Sequence, residues 1–230
     1  MSEDNIFLDL GADKRALKHI SIFFSVLVVV LLYHATVFFV IMGDEISVKD
    51  KEKSFTISFQ EIENEDIDTR TIDNGDREVI ELEIEEDSLS GYDGFGVLFV
   101  DIEYGETSGQ FADPCDSVSA DISPNGVNAD WDNENNVLAG TSSSCETISL
   151  IVYVFPEYNS TTKNVTGENL EYWESLWQNS SYGIGTFHLE VEVNVNQPPT
   201  AGIPTIQDDD EEVTISWRSI YFTSDVQEIE

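Results

Sequence analysis

Two kinds of apolar pattern divide the chain. Residues 20–42 contain no Asp, Glu, Lys or Arg and consist largely of Val, Leu, Ile and Phe. As a helix rising about 1.5 Å per residue, such a run crosses the roughly 30 Å hydrocarbon core of a bilayer. Ile41 and Gly43 flank Met42 where a cleavable leader would place small residues, so the pattern predicts an uncleaved signal-anchor and a lipid bilayer as the first partner. Lys14, Arg15 and Lys18 lie close before the span, and Lys49, Lys51 and Lys53 follow at a greater distance. This bias predicts a cytoplasmic tail over residues 1–19 and an extracytoplasmic C-terminal part in a single-pass cell-membrane protein.

After a charged stalk at residues 43–53 the period changes to two. Phe55, Ile57 and Phe59 alternate with Thr56, Ser58 and Gln60, and Ile80, Leu82 and Ile84 alternate with Glu81, Glu83 and Glu85. Leu98, Val100, Ile102 and Tyr104 form another apolar face, as do Phe187, Leu189, Val191, Val193 and Val195. Each reads as a half-buried strand, whereas residues 148–155, apolar on both faces, read as a central one. Gly, Asn, Asp and Ser clusters separate them. The expectation is a mainly β fold, an Ig-like or jelly-roll-like antiparallel β-sandwich over residues 54–196 behind one N-terminal transmembrane helix. Residues 168–178 depart from it: Leu170, Trp173 and Trp177 recur at helical spacing, and Glu168 and Glu171 suit a first turn. With Tyr172 these aromatics either cover an open end of the sandwich or offer a platform on which sugars stack.

Beyond the sandwich, Asn196-Gln197-Pro198-Pro199-Thr200-Ala201 makes a rigid connector, and Val213, Ile215 and Trp217 alternate once more. The connector resembles the opening of PKD and related Ig-like modules that repeat along archaeal and bacterial surface proteins. That resemblance implies an envelope-exposed β module. The remaining residues are too few for a complete one and carry no WDFGD-like motif, so residues 197–230 are expected to hold the connector and a partial second β unit or a C-terminal strand pair.

Charge narrows the function classes. Against 10 basic residues stand 46 acidic ones, a formal net charge of −36. Such a surface repels nucleic-acid phosphates and anionic headgroups, which argues against nucleic acid as a partner, and it suits salty surroundings that screen self-repulsion. The two cysteines, Cys115 and Cys145, fit no zinc-ligand spacing and are expected as a disulfide in an extracytoplasmic domain, two buried thiols being the alternative. Asn159, Asn164 and Asn179 each open an Asn-Xaa-Ser/Thr acceptor for glycosylation.

Candidate chemistry is sparse. Of the histidines, His19 and His34 fall in or beside the apolar run, and His188 falls on the polar face of the last alternating strand. No GxSxG, HExxH, Walker-type or GxGxxG motif is present, so no enzyme and no organic cofactor is expected. Asp130, Asp132, Glu134 and Asn136 place oxygen ligands at alternate positions, as the start of an EF-hand loop does, and make calcium the one candidate metal. The sixth position is Asn135 in place of glycine, and Thr141 replaces the distal Glu. Asp73 and Asp76 flank Asn74-Gly75, a turn signature. The leading expectation is a membrane-anchored cell-surface protein whose sandwich serves structure, adhesion or binding of an envelope protein or glycan. Arg15-Ala16-Leu17 partly resembles an archaeal prepilin cleavage site, which implies a pilin-like filament subunit as one alternative; an accessory subunit of a membrane complex is another.

Overall fold

The structure, a computed structural model, describes residues 14–41, 53–105, 115–196 and 209–229. The chain divides into two units, Met1–Glu52 and Lys53–Glu230.

In the first unit α1 spans Lys14–Thr36 and runs on as one π-helical stretch, Val37–Ile41. The apolar span long enough to cross a membrane is Leu17–Phe39, starting three residues before the expected 20–42. Its Val, Leu and Phe side chains are exposed in the unit itself, as expected of a helix whose apolar surface is satisfied by lipid. The stalk falls almost wholly outside the described residues.

The second unit is an antiparallel sandwich. In chain order its strands are β1 (Ser54–Asp73), β2 (Arg77–Ile84), β3 (Gly94–Tyr104), β4 (Ser117–Asn125), β5 (Ala139–Ser142), β6 (Ile148–Tyr153), β7 (Lys163–Thr166), β8 (Gly185–Asn194) and β9 (Asp210–Ile229). The first sheet has the order β6-β3-β9-β1-β7 and the second the order β2-β8-β4-β5. Alternation explains the packing. Ile80, Leu82 and Ile84 of β2 and Phe187, Leu189, Val191 and Val193 of β8 face Leu98, Val100 and Ile102 of β3 and Val213 and Ile215 of β9 across one core. Burying each such aliphatic or aromatic side chain is worth about 1.5–3 kcal/mol, so this layer dominates the stability of the unit. The turn from β1 to β2 is the one the sequence signals: Asp76 N donates to Asp73 O at 2.9 Å, and Gly75 takes φ +80°.

Two expectations need correction. Residues 210–229 are neither a second unit nor a strand pair. They form one strand at the centre of the first sheet, paired with β1 from Ser54↔Ile229 to Asp73↔Asp210 and with β3 on the other side. Residues 148–155 do not make a central strand either, since β6 is the edge of that sheet, paired with β3 and joined on its other side by an isolated bridge between Val137 and Ile151 rather than by a strand. Its two apolar faces have another cause: the first sheet is covered on both sides. Leu150 and Val152 enter the inter-sheet core, while Ile151 and Tyr153 pack against a second cluster on the outer face.

Candidate functional site

The second cluster is where the fold builds a concave, ligand-sized surface. A short helix, α2 (Leu170–Trp177), lies over the outer face of the first sheet, and it forms where the sequence spacing places it. Asn169 caps it by accepting the Tyr172 amide at 2.8 Å on its side-chain oxygen. Trp173 ties the preceding turn down through an Nε1–H donated to Gly167 O at 3.2 Å. Trp177, 3% exposed, stacks on Phe155 with ring centroids 5.4 Å apart and meets Phe59 edge-on at 4.8 Å. The Lys163 ammonium lies 5.0 Å from the centre of the Trp177 ring.

Beneath these rings two glycines make the room. A Cβ at Gly94 would stand 2.7 Å from the Phe222 ring, and one at Gly96 would stand 2.3 Å from Tyr158. Tyr158 therefore lies flat on Phe222, and its hydroxyl donates to Glu61 Oε1. Burial, then the bond to Glu61, raises the Tyr158 pKa well above the ordinary tyrosine value.

Between α2 and the 155–157 turn opens a cleft of about 420 Å³ whose walls include Phe155, Pro156, Tyr172, Trp173, Asn179 and Tyr182. Tyr172 and Leu176 are both more than two-fifths exposed at its rim. Flat aromatic walls with an amide and the Glu157 carboxylate at the edge suit contact with a sugar ring or an apolar side chain. Among the described residues the lining holds no histidine, cysteine, serine or lysine.

The other residues that the sequence singles out fall in four places. Asn159 and Asn164 are exposed and Asn179 is half-buried, all on or beside the segments that carry the cleft. Asn159 and Asn179 each accept, on Oδ1, the hydroxyl of the Thr161 or Ser181 that completes its acceptor triplet, at 2.9 and 2.7 Å. Asn164 instead accepts the Thr56 hydroxyl across the β1–β7 pair at 3.0 Å.

Cys115 and Cys145 are joined as a disulfide, which ties the start of β4 to the β5–β6 connection. Beside it Asn196 donates its amide to Asp116 Oδ1 at 2.7 Å and its side-chain NH2 to Cys115 O at 2.7 Å, locking the end of β8 to the bridge.

The Asp130–Asn136 loop closes upon itself. Asn136 donates to the carbonyls of Asp130 and Trp131 and accepts the Tyr153 amide at 2.7 Å, so both ends of its side chain are engaged. Asp130 Oδ2 accepts from Asn133 at 2.8 Å, while Asp132 and Glu134 are exposed. Among the described residues no three His, Cys, Asp or Glu side chains converge as a metal-binding group. His188 sits on the polar face of β8 as expected, 2.5 Å from Asn125 Nδ2 and 3.7 Å from Glu81.

Sequence reasoning found α2 and its aromatics but missed Tyr158, Phe155, Tyr182 and the paired glycines. The available signal was Gly94-Phe95-Gly96, since glycine inside a strand marks a close approach by another group.

The chain matches no protein-family model and no curated protein. Among solved structures it is similar to a chain of the Nora virus structure at 13% identity and TM-score 0.31, over 72% of this chain and 60% of that one. It is likewise similar to a chain of the Mud Crab Dicistrovirus structure at 12% identity and TM-score 0.29, over 73% of this chain and 70% of that one. Backbone agreement at this level assigns neither a fold family nor a function.

Proposed function

We propose that the protein is a membrane-anchored, non-enzymatic cell-surface protein whose β-sandwich stands outside the membrane and works by binding a protein or glycan of the envelope. The observation that carries this reading is the Cys115–Cys145 disulfide in a β unit that follows an apolar, membrane-length helix. Disulfides persist in oxidising compartments, and the cytosol keeps such pairs reduced. The basic residues Lys14, Arg15 and Lys18 in the first turns of the helix, the exposed acceptor asparagines Asn159 and Asn164, and the acidic surface all accord with an exterior location. So does the resemblance of the 196–201 connector to modules of surface proteins. The aromatic cleft beside α2 is the contact surface we assign to the partner, its Tyr172 and Trp173 rings serving as the stacking platform.

Protease added to intact cells tests the location, with non-reducing mass analysis of the two cysteines. The expected result is a cleaved, disulfide-linked β unit. A unit protected in intact cells, cut only after lysis and carrying free thiols, would falsify the surface reading.

A further inference from the structure

Strand β1 is longer than the sandwich that should cover it. Only Ser54 to Ile57 pair with β7, so from Ser58 to Asp73 no strand among the described residues pairs with its outer edge. The open edge runs for roughly 50 Å at about 3.3 Å per residue. From Gln60 to Ile67 every residue is exposed, and among the described strands only β9 pairs with the segment, the Tyr158 hydroxyl adding a bond to Glu61. Ile62 and Ile67 lie on opposite faces and are 47% and 69% exposed.

An unpaired row of N–H and C=O groups is a template for another strand, and proteins usually block it with a bulge, a proline, a covering loop or charge. Of these, β1 shows charge. Glu61, Glu63, Glu65, Asp66, Asp68 and Asp73 stand against Arg70 alone within this segment. Arg70 pairs with Asp68 at 2.8 Å, and Arg218 reaches across from β9 to Glu63 at 3.0 Å. Glu65 and Asp66 make no ion pair among the described residues.

This pattern discriminates between occupants. In an antiparallel pair of two copies centred on Glu63, Glu61 of each would face Glu65 of the other, and like charges directly opposite destabilise a ladder. A partner strand carrying Lys or Arg at alternate positions instead sets all of them on one face, where they meet Glu61, Glu63 and Glu65, while its apolar positions share the other face with Ile62. We propose that the 58–73 edge of β1 is a strand-addition site for an extended basic segment of another protein, which would continue the first sheet beyond β1 in line with β7. The backbone ladder supplies the attachment and the carboxylates supply the choice of partner.

The test uses the full chain in phosphatidylcholine nanodiscs, so that the lipid carries no net charge to compete. The probe is a twelve-residue peptide of alternating Lys and Val, compared with the same peptide N-methylated at every residue, which keeps the charge and removes the backbone donors from both edges. Amide hydrogen exchange in moderate salt is expected to slow at least tenfold within residues 58–73 on adding the first peptide and to stay unchanged with the second. A Glu65→Lys, Asp66→Lys double variant is expected to weaken binding at least tenfold with the exchange pattern of the β-sandwich core unaltered. Equal binding of both peptides, or protection spread over the surface, would overturn the proposal in favour of bulk charge attraction. Protection of this edge without peptide, rising with protein concentration, would overturn it in favour of a second copy.

Discussion

Gly96 and Tyr158 are complementary shapes: the tyrosine ring occupies the space that a methyl group on Gly96 would fill, with its nearest ring carbon 2.3 Å from the ideal Cβ position. The whole outer cluster depends on this approach, because Tyr158 stacks on Phe222 and Phe222 meets Phe155 and Phe59 edge-on.

Gly96→Ala should therefore destabilise the β unit by about 1–3 kcal/mol through overpacking, read as a lower urea midpoint at unchanged slope. Truncating Tyr158 to leucine in the same chain should recover part of the loss.

Stability should fall at alkaline pH. The folded unit holds Tyr158 protonated, with burial first and the Glu61 bond second raising its pKa, and burial raises Tyr221 as well. Below the unfolded tyrosine value near 10 both states bind these protons and their contribution is fully present. Above it the unfolded chain loses protons that the folded chain keeps, so stability declines as pH rises towards the folded values. Urea melts between pH 8 and 11 should show this decline, and Tyr158→Phe should reduce its slope without abolishing it, because Tyr221 remains.

Reducing the Cys115–Cys145 bridge, or replacing both cysteines by serine, should cost about 3–4 kcal/mol by releasing a loop with a sequence separation of 30. Thermal melts with and without reductant check it, and the double serine variant should no longer respond to reductant.

In the cleft, fold and contact are separable. Trp177→Ala should cost about 3–5 kcal/mol because the side chain is buried. Tyr172→Ala, at an exposed rim position, should stay within about 1 kcal/mol of the parent and yet lose partner binding measured on intact cells.

Asn136→Ala should cost about 1–3 kcal/mol by leaving the Tyr153 amide and two carbonyls without their partner. Because that side chain is committed to the protein, calcium titration at moderate ionic strength should leave the Tm unchanged.

How far the sequence foretold this arrangement depends on where each residue's partner lies. Ile80, Leu82 and Ile84, or Phe187 through Val193, declare a strand because alternation is local and one face meets the core. Leu170, Trp173 and Trp177 declare a helix for the same reason. The far half of β1 is different: Glu63 to Arg70 carries no apolar face, and it is a strand because Arg218, Ser219 and Ile220 of β9 run beside it. Residues 148–155 misled because apolarity on both faces marks burial on both faces, which an edge strand under a second cluster also has. For the cleft, its helix and aromatics were legible, while the seat that Gly94 and Gly96 prepare for the rings of Phe155, Tyr158 and Phe222 was not, since shape complementarity between distant segments leaves no periodicity.

The central place of β9 sets an order of events during synthesis. β1 and β3 leave the ribosome early but are not neighbours; β9 lies between them and is made last among the described strands. Until it arrives, no strand joins β1 and β7 to β3 and β6. A chain emerging on the far side of a membrane would thus remain open along its middle, dependent on keeping those strands from pairing elsewhere, and would close in a single late step like a zip drawn between them.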